Sequence, residues 1–173
     1  HPSDNSRLVF LHGDVSEHSI ASVIAQLLML ANANSNPIHL VVSTYGGSVD
    51  EMFSLYDTIK FLPCPVHTVG LGKVMSAGVL LLAAGEKGKR LMGASGRVMM
   101  HSVSGGVSGN VFEVQNETNE HVRLHNMMID ALAKETKMSR KKIESIMSPK
   151  LDSYFTAEQA LKMGIVDKII GAK

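Results

Sequence analysis

Short β-branched runs alternate with amphipathic helical stretches through the first hundred residues, and that alternation restricts the chain more than any other feature. Leu8 to Leu11 is a β-type run. Ser16 to Asn32 then carries Ile20, Val23, Ile24, Leu27, Leu28 and Ala31 at helical spacing on one face. After a loop from Asn32 to Pro37, Ile38 to Thr44 reads as a strand, and Gly46-Gly47 breaks the pattern. A second helix is expected from about Ser48 to Phe61, with Val49, Met52, Phe53, Tyr56 and Ile59 inward. Pro63-Cys64-Pro65 ends it, because proline cannot continue a helix and biases its predecessor towards extended geometry. Val66 to Gly70 is the next strand, Met75 to Ala84 an apolar helix, and Lys89 to Met92 and Arg97 to His101 two further strands. This order predicts an α/β domain with a largely parallel sheet and right-handed crossovers.

The second half is more helical. A glycine-rich loop, Ser104 to Asn110, leads into a long helical stretch ending near Lys137. Ser139 caps a short helix, Thr156 to Gln159 forms a capping box for the next, and Gly164 is placed to stop it. Ile165 to Ile170 is expected as the final strand. Gln115 to His121 is polar all round, so it cannot lie along a core and is expected to project from the domain or meet another subunit.

A chain of 173 residues, 45% hydrophobic and 19% charged, suits one globular domain. Its longest strictly apolar run, Val79 to Ala84, is too short to span a bilayer, so no membrane partner is expected. No export signal is visible, and the single cysteine, Cys64, forms no internal disulfide, so the expected compartment is the cytoplasm. An organelle stroma or matrix fits equally if a transit peptide has been removed. Arg140-Lys141-Lys142 has no interleaved aromatic residues, so it reads as a solvated helix face and nucleic acid is not an expected partner.

Ligands of parallel α/β sheets collect at the carboxyl ends of the strands. Three such ends carry suitable chemistry: Tyr45-Gly46-Gly47, Gly70 to Ser76, and His101. Ser76 at a helix start is either an ordinary N-cap or a nucleophile at a dipole that favours negative charge. Gly46-Gly47 is either a tight turn or a backbone free to aim an N–H at a bound carbonyl oxygen. His101 suits a general base, and Asp152 could orient such an imidazole. Taken singly, each has an ordinary structural explanation.

Several stretches in order carry a resemblance: Val23 to Leu30, Gly46 to Val49, Tyr56 to Ile59, Ala83 to Arg90, Arg97 to His101, Phe155 to Ala160 and Gly164 to Asp167. From Leu8 to Ile170 the chain resembles ClpP, the proteolytic subunit of the caseinolytic protease. The resemblance implies a ClpP/crotonase-like spiral of βα units, with a head at about 8–103 and 138–170 and a projecting handle helix at about 104–137. It implies Ser76 as nucleophile, His101 as base and Asp152 as orienting acid, with Gly47 and Ala77 as oxyanion-hole N–H donors. Gly46, Ser104, Gly105 and Gly106 fall on substrate-binding positions. The family assembles as a tetradecamer, two stacked heptameric rings around a chamber, into which an ATPase ring of the AAA+ unfoldase type threads unfolded polypeptide. The chain shows no Walker A motif, so ATP belongs to that partner, and neither cofactor nor metal is expected here.

Three departures accompany the resemblance. Tyr45 stands where the family has proline, Met75-Ser76-Ala77-Gly78 replaces Ala-Ser-Met-Gly, and residues 1–7 are too short for the family's N-terminal gating segment and first helix. That last departure bears on coupling to an unfoldase. A catalytically impaired structural or modulatory ring subunit is the alternative reading. Crotonase-type chemistry keeps the oxyanion donors but not this Ser, His and Asp, and a serine–lysine dyad would rest on Lys73 alone. Gly70-Leu71-Gly72 lacks the third glycine of a dinucleotide fingerprint, with Met75 in its place. His121 and His125 have helical metal-ligand spacing without the adjacent glutamate, so they read as an exposed helix face.

Overall fold

The computed structural model describes residues 7–148 and 150–171. The chain enters through β1 (Leu8–His12), whose alternation buries Val9 and Leu11 and leaves Leu8 and Phe10 outward. Helix α1 (Glu17–Ala33) starts at Ser16, whose hydroxyl accepts from the Ser19 N–H while the Ser19 hydroxyl accepts from Ser16 N–H. Its Ile20, Val23 and Leu27 are buried, as their spacing predicts. β2 (Ile38–Thr44) and α2 (Val49–Phe61, N-capped by Ser48) follow. β1 and β2 pair in parallel, as do β2 and β3 (Val66–Met75).

β3 outruns its expected end at Gly70 by five residues, because Gly72, at φ +67°, turns the strand without ending it. The strand thereby serves two neighbours. Val69 and Gly70 pair with β4 (Leu91–Gly93), and Lys73 to Met75 pair with β5 (Arg97–Met100). Between them α3 (Ala77–Ala83) is buried at every residue. Gly78 is essential to that burial, since a Cβ there would lie 2.6 Å from Thr44 Cγ2.

The long helix α4 (Val111–Glu135) is capped reciprocally by Asn110 and Glu113. Met128, Ile129 and Leu132 in its second half join the core, whereas residues 111–120 are almost wholly exposed. Helix α5 (Arg140–Met147) inserts Ile143, Ile146 and Met147. A strand absent from the sequence expectation follows: β6 (Ser153–Thr156), antiparallel to β5. Helix α6 (Ala157–Lys162) carries the expected Thr156–Gln159 box. The last strand, β7 (Lys168–Ile170), is shorter than expected, because Ile165 N–H bonds Ala160 O and closes the helix end. The sheet has seven strands, its main path β1-β2-β3-β4-β7. This is the mixed α/β architecture expected, with a sheet parallel in every pairing but that of β5 with β6. Residues 1–7, expected to be too short for the family's gating segment, lie outside the described residues except for Arg7.

Candidate active site

Sheet register brings Ser76, His101 and Asp152 together. Met75 is aligned with Met99 across β3 and β5, and Ser76 N–H donates to Met99 O at 2.8 Å. Met100 opposes Ser153 across the antiparallel β5–β6 pair, so the residues just beyond, His101 and Asp152, also meet. Ser76 Oγ lies 2.8 Å from His101 Nε2, and His101 Nδ1 lies 3.3 Å from Asp152 Oδ1. The second distance is longer than the roughly 2.7–2.9 Å of a tight charge-assisted bond. His101 is partly buried and the Asp152 side chain 47% exposed.

Ser76 stands at the N-cap position of α3 but its side chain does not cap the helix. Its hydroxyl makes no capping bond, and its backbone sits at φ 55°, ψ −119°, the only positive φ among the described non-glycine residues. Such a conformation costs about 1–3 kcal/mol and persists only when its surroundings impose it. Here the end of β3 and the buried start of α3 impose it, and the hydroxyl turns to His101 instead of to its own helix.

The glycine pair frames the opposite side. Gly46 and Gly47 have φ +108° and +152°. A Cβ on Gly46 would lie 2.7 Å from Ser76 Cβ, and one on Gly47 2.2 Å from Val15 O. Gly46 is anchored by its N–H to Thr44 Oγ1 and by Val15 N–H to its carbonyl, both at 2.9 Å. The N–H groups of Gly47 and Ala77 donate to no acceptor among the described residues. Two unengaged donors flanking a hydroxyl suit an oxygen that gains negative charge.

A cleft of about 240 Å³ opens here, with Gly47, Ser76 and His101 at its polar side and Val49, Val103 and Met128 at its apolar side. Ser104 and Tyr45 also line it. Gly105 and Gly106 do not: Gly105 lies against the His121 ring, and Gly106 has open space where a side chain would be. Lys73 Nζ is 3.2 Å from Ser43 Oγ and 5.2 Å from the Tyr45 ring centre, so its hydrogen bond goes to Ser43 while the Ser76 hydroxyl meets His101. Val49, Val103 and Met128 carried no sequence signal as site residues, since apolar side chains at helix and loop positions read as core.

His121 and His125 depart from their expected exposed face. Both are half-buried and turned towards the segment after His101, where Val103 N–H donates to His125 Nδ1 at 3.3 Å. No group of three or more metal-ligating side chains occurs among the described residues, and no helix there is long and apolar enough to cross a membrane.

Comparison with known proteins bears on the same chain almost end to end. The family model described as Clp protease matches residues 3–173. A protein from Borreliella afzelii, named ATP-dependent Clp protease proteolytic subunit, is 35% identical over 95% of this chain and 83% of its own length. The ATP-dependent Clp protease proteolytic subunit 1 of Borreliella burgdorferi is 34% identical over 95% and 84%. The similarly named subunit of Deinococcus radiodurans is 32% identical over 95% and 80%. With a family match of that extent, laid over a sheet that ends in this serine, histidine and aspartate, the chain belongs to the Clp protease family.

Proposed function

We propose that the chain is a serine endopeptidase that cleaves unfolded polypeptide, with Ser76 as nucleophile, His101 as general base and Asp152 as orienting acid. The observation that carries this reading is the 2.8 Å contact between Ser76 Oγ and His101 Nε2 at a strained strand-to-helix junction. With His101 protonated on Nδ1 and facing Asp152, Nε2 accepts the Ser76 proton as Oγ attacks the scissile carbonyl carbon. The carbonyl oxygen takes the electron pair and is met by the N–H groups of Gly47 and Ala77. Collapse breaks the C–N bond, and the Nε2 proton leaves with the amine. A water, deprotonated by the same imidazole, then releases the acyl group from Ser76. Loss of a single oxyanion donor lowers kcat by roughly 10²–10³. Ser104 lines the cleft beside the reacting groups, and the apolar Val49, Val103 and Met128 that line it too suit an apolar side chain next to the cleaved bond.

The active form is proposed as a homo-oligomer of two stacked heptameric rings. The relatives are named as ATP-dependent, and an AAA+ unfoldase is the partner this reading adopts.

The test is labelling by a serine-reactive fluorophosphonate, on wild type and Ser76→Ala, with each sample sized in solution. The expected result is labelling confined to wild-type protein in large particles, with peptide hydrolysis by Ser76→Ala at background. Ring-sized particles without labelling would sink the peptidase and leave a structural, catalytically impaired ring subunit.

A further inference from the structure

The segment 102–109 leaves β5 and reaches the cap of α4 without joining the sheet. Among the described residues, its backbone makes one hydrogen bond: Val103 N–H to His125 Nδ1, at 3.3 Å. Val103 and Ser104 line the Ser76 cleft, so this bond ties α4 to the site. One turn back on the same helix, His121 sits so close to Gly105 that a Cβ there would be 2.6 Å from its Cε1. Beside the segment runs a groove of about 350 Å³, open to solvent and lined by Ser102, Val103, His121, His125 and Met147 among others. An open groove supplies few packing contacts, so the segment has room to leave its position.

We propose that His125 is a positioning residue: the Nδ1 lone pair of its neutral imidazole latches Val103, holding the rim of the Ser76 cleft in place, and protonation opens the latch. This rests on the peptidase reading above. A backbone N–H only donates, so the observed contact requires Nδ1 without a proton. Once protonated, Nδ1–H faces Val103 N–H, and donor opposes donor. The charged groups facing His125 are Arg140 and Glu144 on α5. Its helical neighbour His121 shares the groove, and the 102–109 segment carries no titratable side chain. Burial pushes the imidazole below its ordinary value, Arg140 acts in the same direction, and Glu144 opposes both. A lowered value means that the latch is complete above the ordinary imidazole range, about 6.5, and is lost as pH falls from there through the lowered value.

The experiment compares wild type, His125→Asn and His125→Phe as full chains. Asparagine keeps an acceptor near the Nδ1 position but does not titrate; phenylalanine keeps the ring and removes the acceptor. The first readout is hydrogen exchange of the Val103 amide in steps from neutral pH downward, corrected for intrinsic rates. Wild type is expected to lose protection as pH falls below the ordinary imidazole range, His125→Asn to keep it throughout, and His125→Phe to lack it throughout. The second readout is kcat/KM for a small peptide ester. His125→Phe is expected to lose roughly three- to tenfold at neutral pH, the worth of one neutral hydrogen bond. On the acid limb, wild type, whose latch opens there, is expected to fall further than His125→Asn. Equal protection in His125→Phe and wild type, or identical acid limbs in His125→Asn and wild type, overturns the latch. If no form reacts with a fluorophosphonate, the peptidase reading fails, while the exchange data still decide whether His125 holds Val103. Should His125→Phe not fold, the pH dependence of His125→Asn decides alone.

Discussion

Ser76 holds a backbone conformation that costs stability and is useful only for aiming its hydroxyl. Ser76→Gly is therefore expected to be about 1 kcal/mol more stable than Ser76→Ala by chemical denaturation, since glycine alone relaxes at positive φ. Both lose hydrolysis. An equal or lower midpoint for the glycine variant would mean that the junction stores no strain. The Gly47→Ala variant fails differently, because its methyl would meet Val15 O at 2.2 Å and the loop must shift. We expect it to lose about 2 kcal/mol or more of stability together with the oxyanion donor, read by thermal melting and by kcat. Ser76, His101, Asp152, Gly47 and Ala77 were legible in the sequence through family resemblance, not through spacing. The contacts among them depend on pairings between residues far apart in the chain, Met75 with Met99 and Met100 with Ser153, which no local pattern encodes. His125 was misread because its lone-pair partner is a backbone N–H, which has no sequence signature.

At the scale of elements, local chemistry predicts the helices well, since caps at Ser48, Asn110, Ser139 and Thr156 and apolar spacing act within a few residues. Strand ends are less legible: Gly72 carries β3 past its expected end at Gly70, and β6 hides its alternation in only four residues. The joint between β4 and β7 rests on a pair just outside both strands, a buried Arg90 and a half-buried Asp167. Arg90 meets Asp167 through Nε and Nη2 at 2.9 and 2.8 Å, while Gly88 and Arg90 N–H groups also donate to Asp167. The Arg90 side chain is 4% exposed. Its hydrogen bond to Asp167 is the main reason that this carboxyl falls from 3.8 to about 2, against the opposing effect of burial. A lowered carboxyl contributes stability that is complete above its unfolded value and lost as pH falls through its folded one. At 1.36 kcal/mol per unit, that contribution is about 2 kcal/mol, present at neutral pH and lost between about pH 4 and pH 2. Asp167→Asn is expected to cost about 3 kcal/mol at pH 7 by leaving Arg90 short of a counter-charge. It should also flatten stability over that acid window; an unchanged slope in acid denaturation would remove Asp167 from this account.

For the whole molecule, the informative surface is the apolar part left uncovered. Val111 and Phe112 at the start of α4 are 77% and 81% exposed, and Phe10 and Phe61, on the opposite side of the chain's order, are also outward. Isolated apolar residues on a surface need no explanation, but two bulky neighbours at the tip of an otherwise polar helix are a candidate contact. If the proposed rings meet through α4 and close through the β1 and α2 elements, the two sets have separable effects. Val111→Ser with Phe112→Ser is expected to stop assembly at single rings, half the wild-type mass by light scattering. Phe10→Ser with Phe61→Ser is expected to give smaller species still, because the contacts within each ring are weakened. If assembly shortens the 3.3 Å separation of His101 and Asp152, particle size and chemistry rise together. Catalytic hydrogen bonds are often long before the competent complex forms, so fluorophosphonate labelling should fall in step with particle mass in both variants. Full labelling of a small, stable species would show that the site is competent in the isolated subunit, and assembly would then serve to enclose substrate and not to align the histidine.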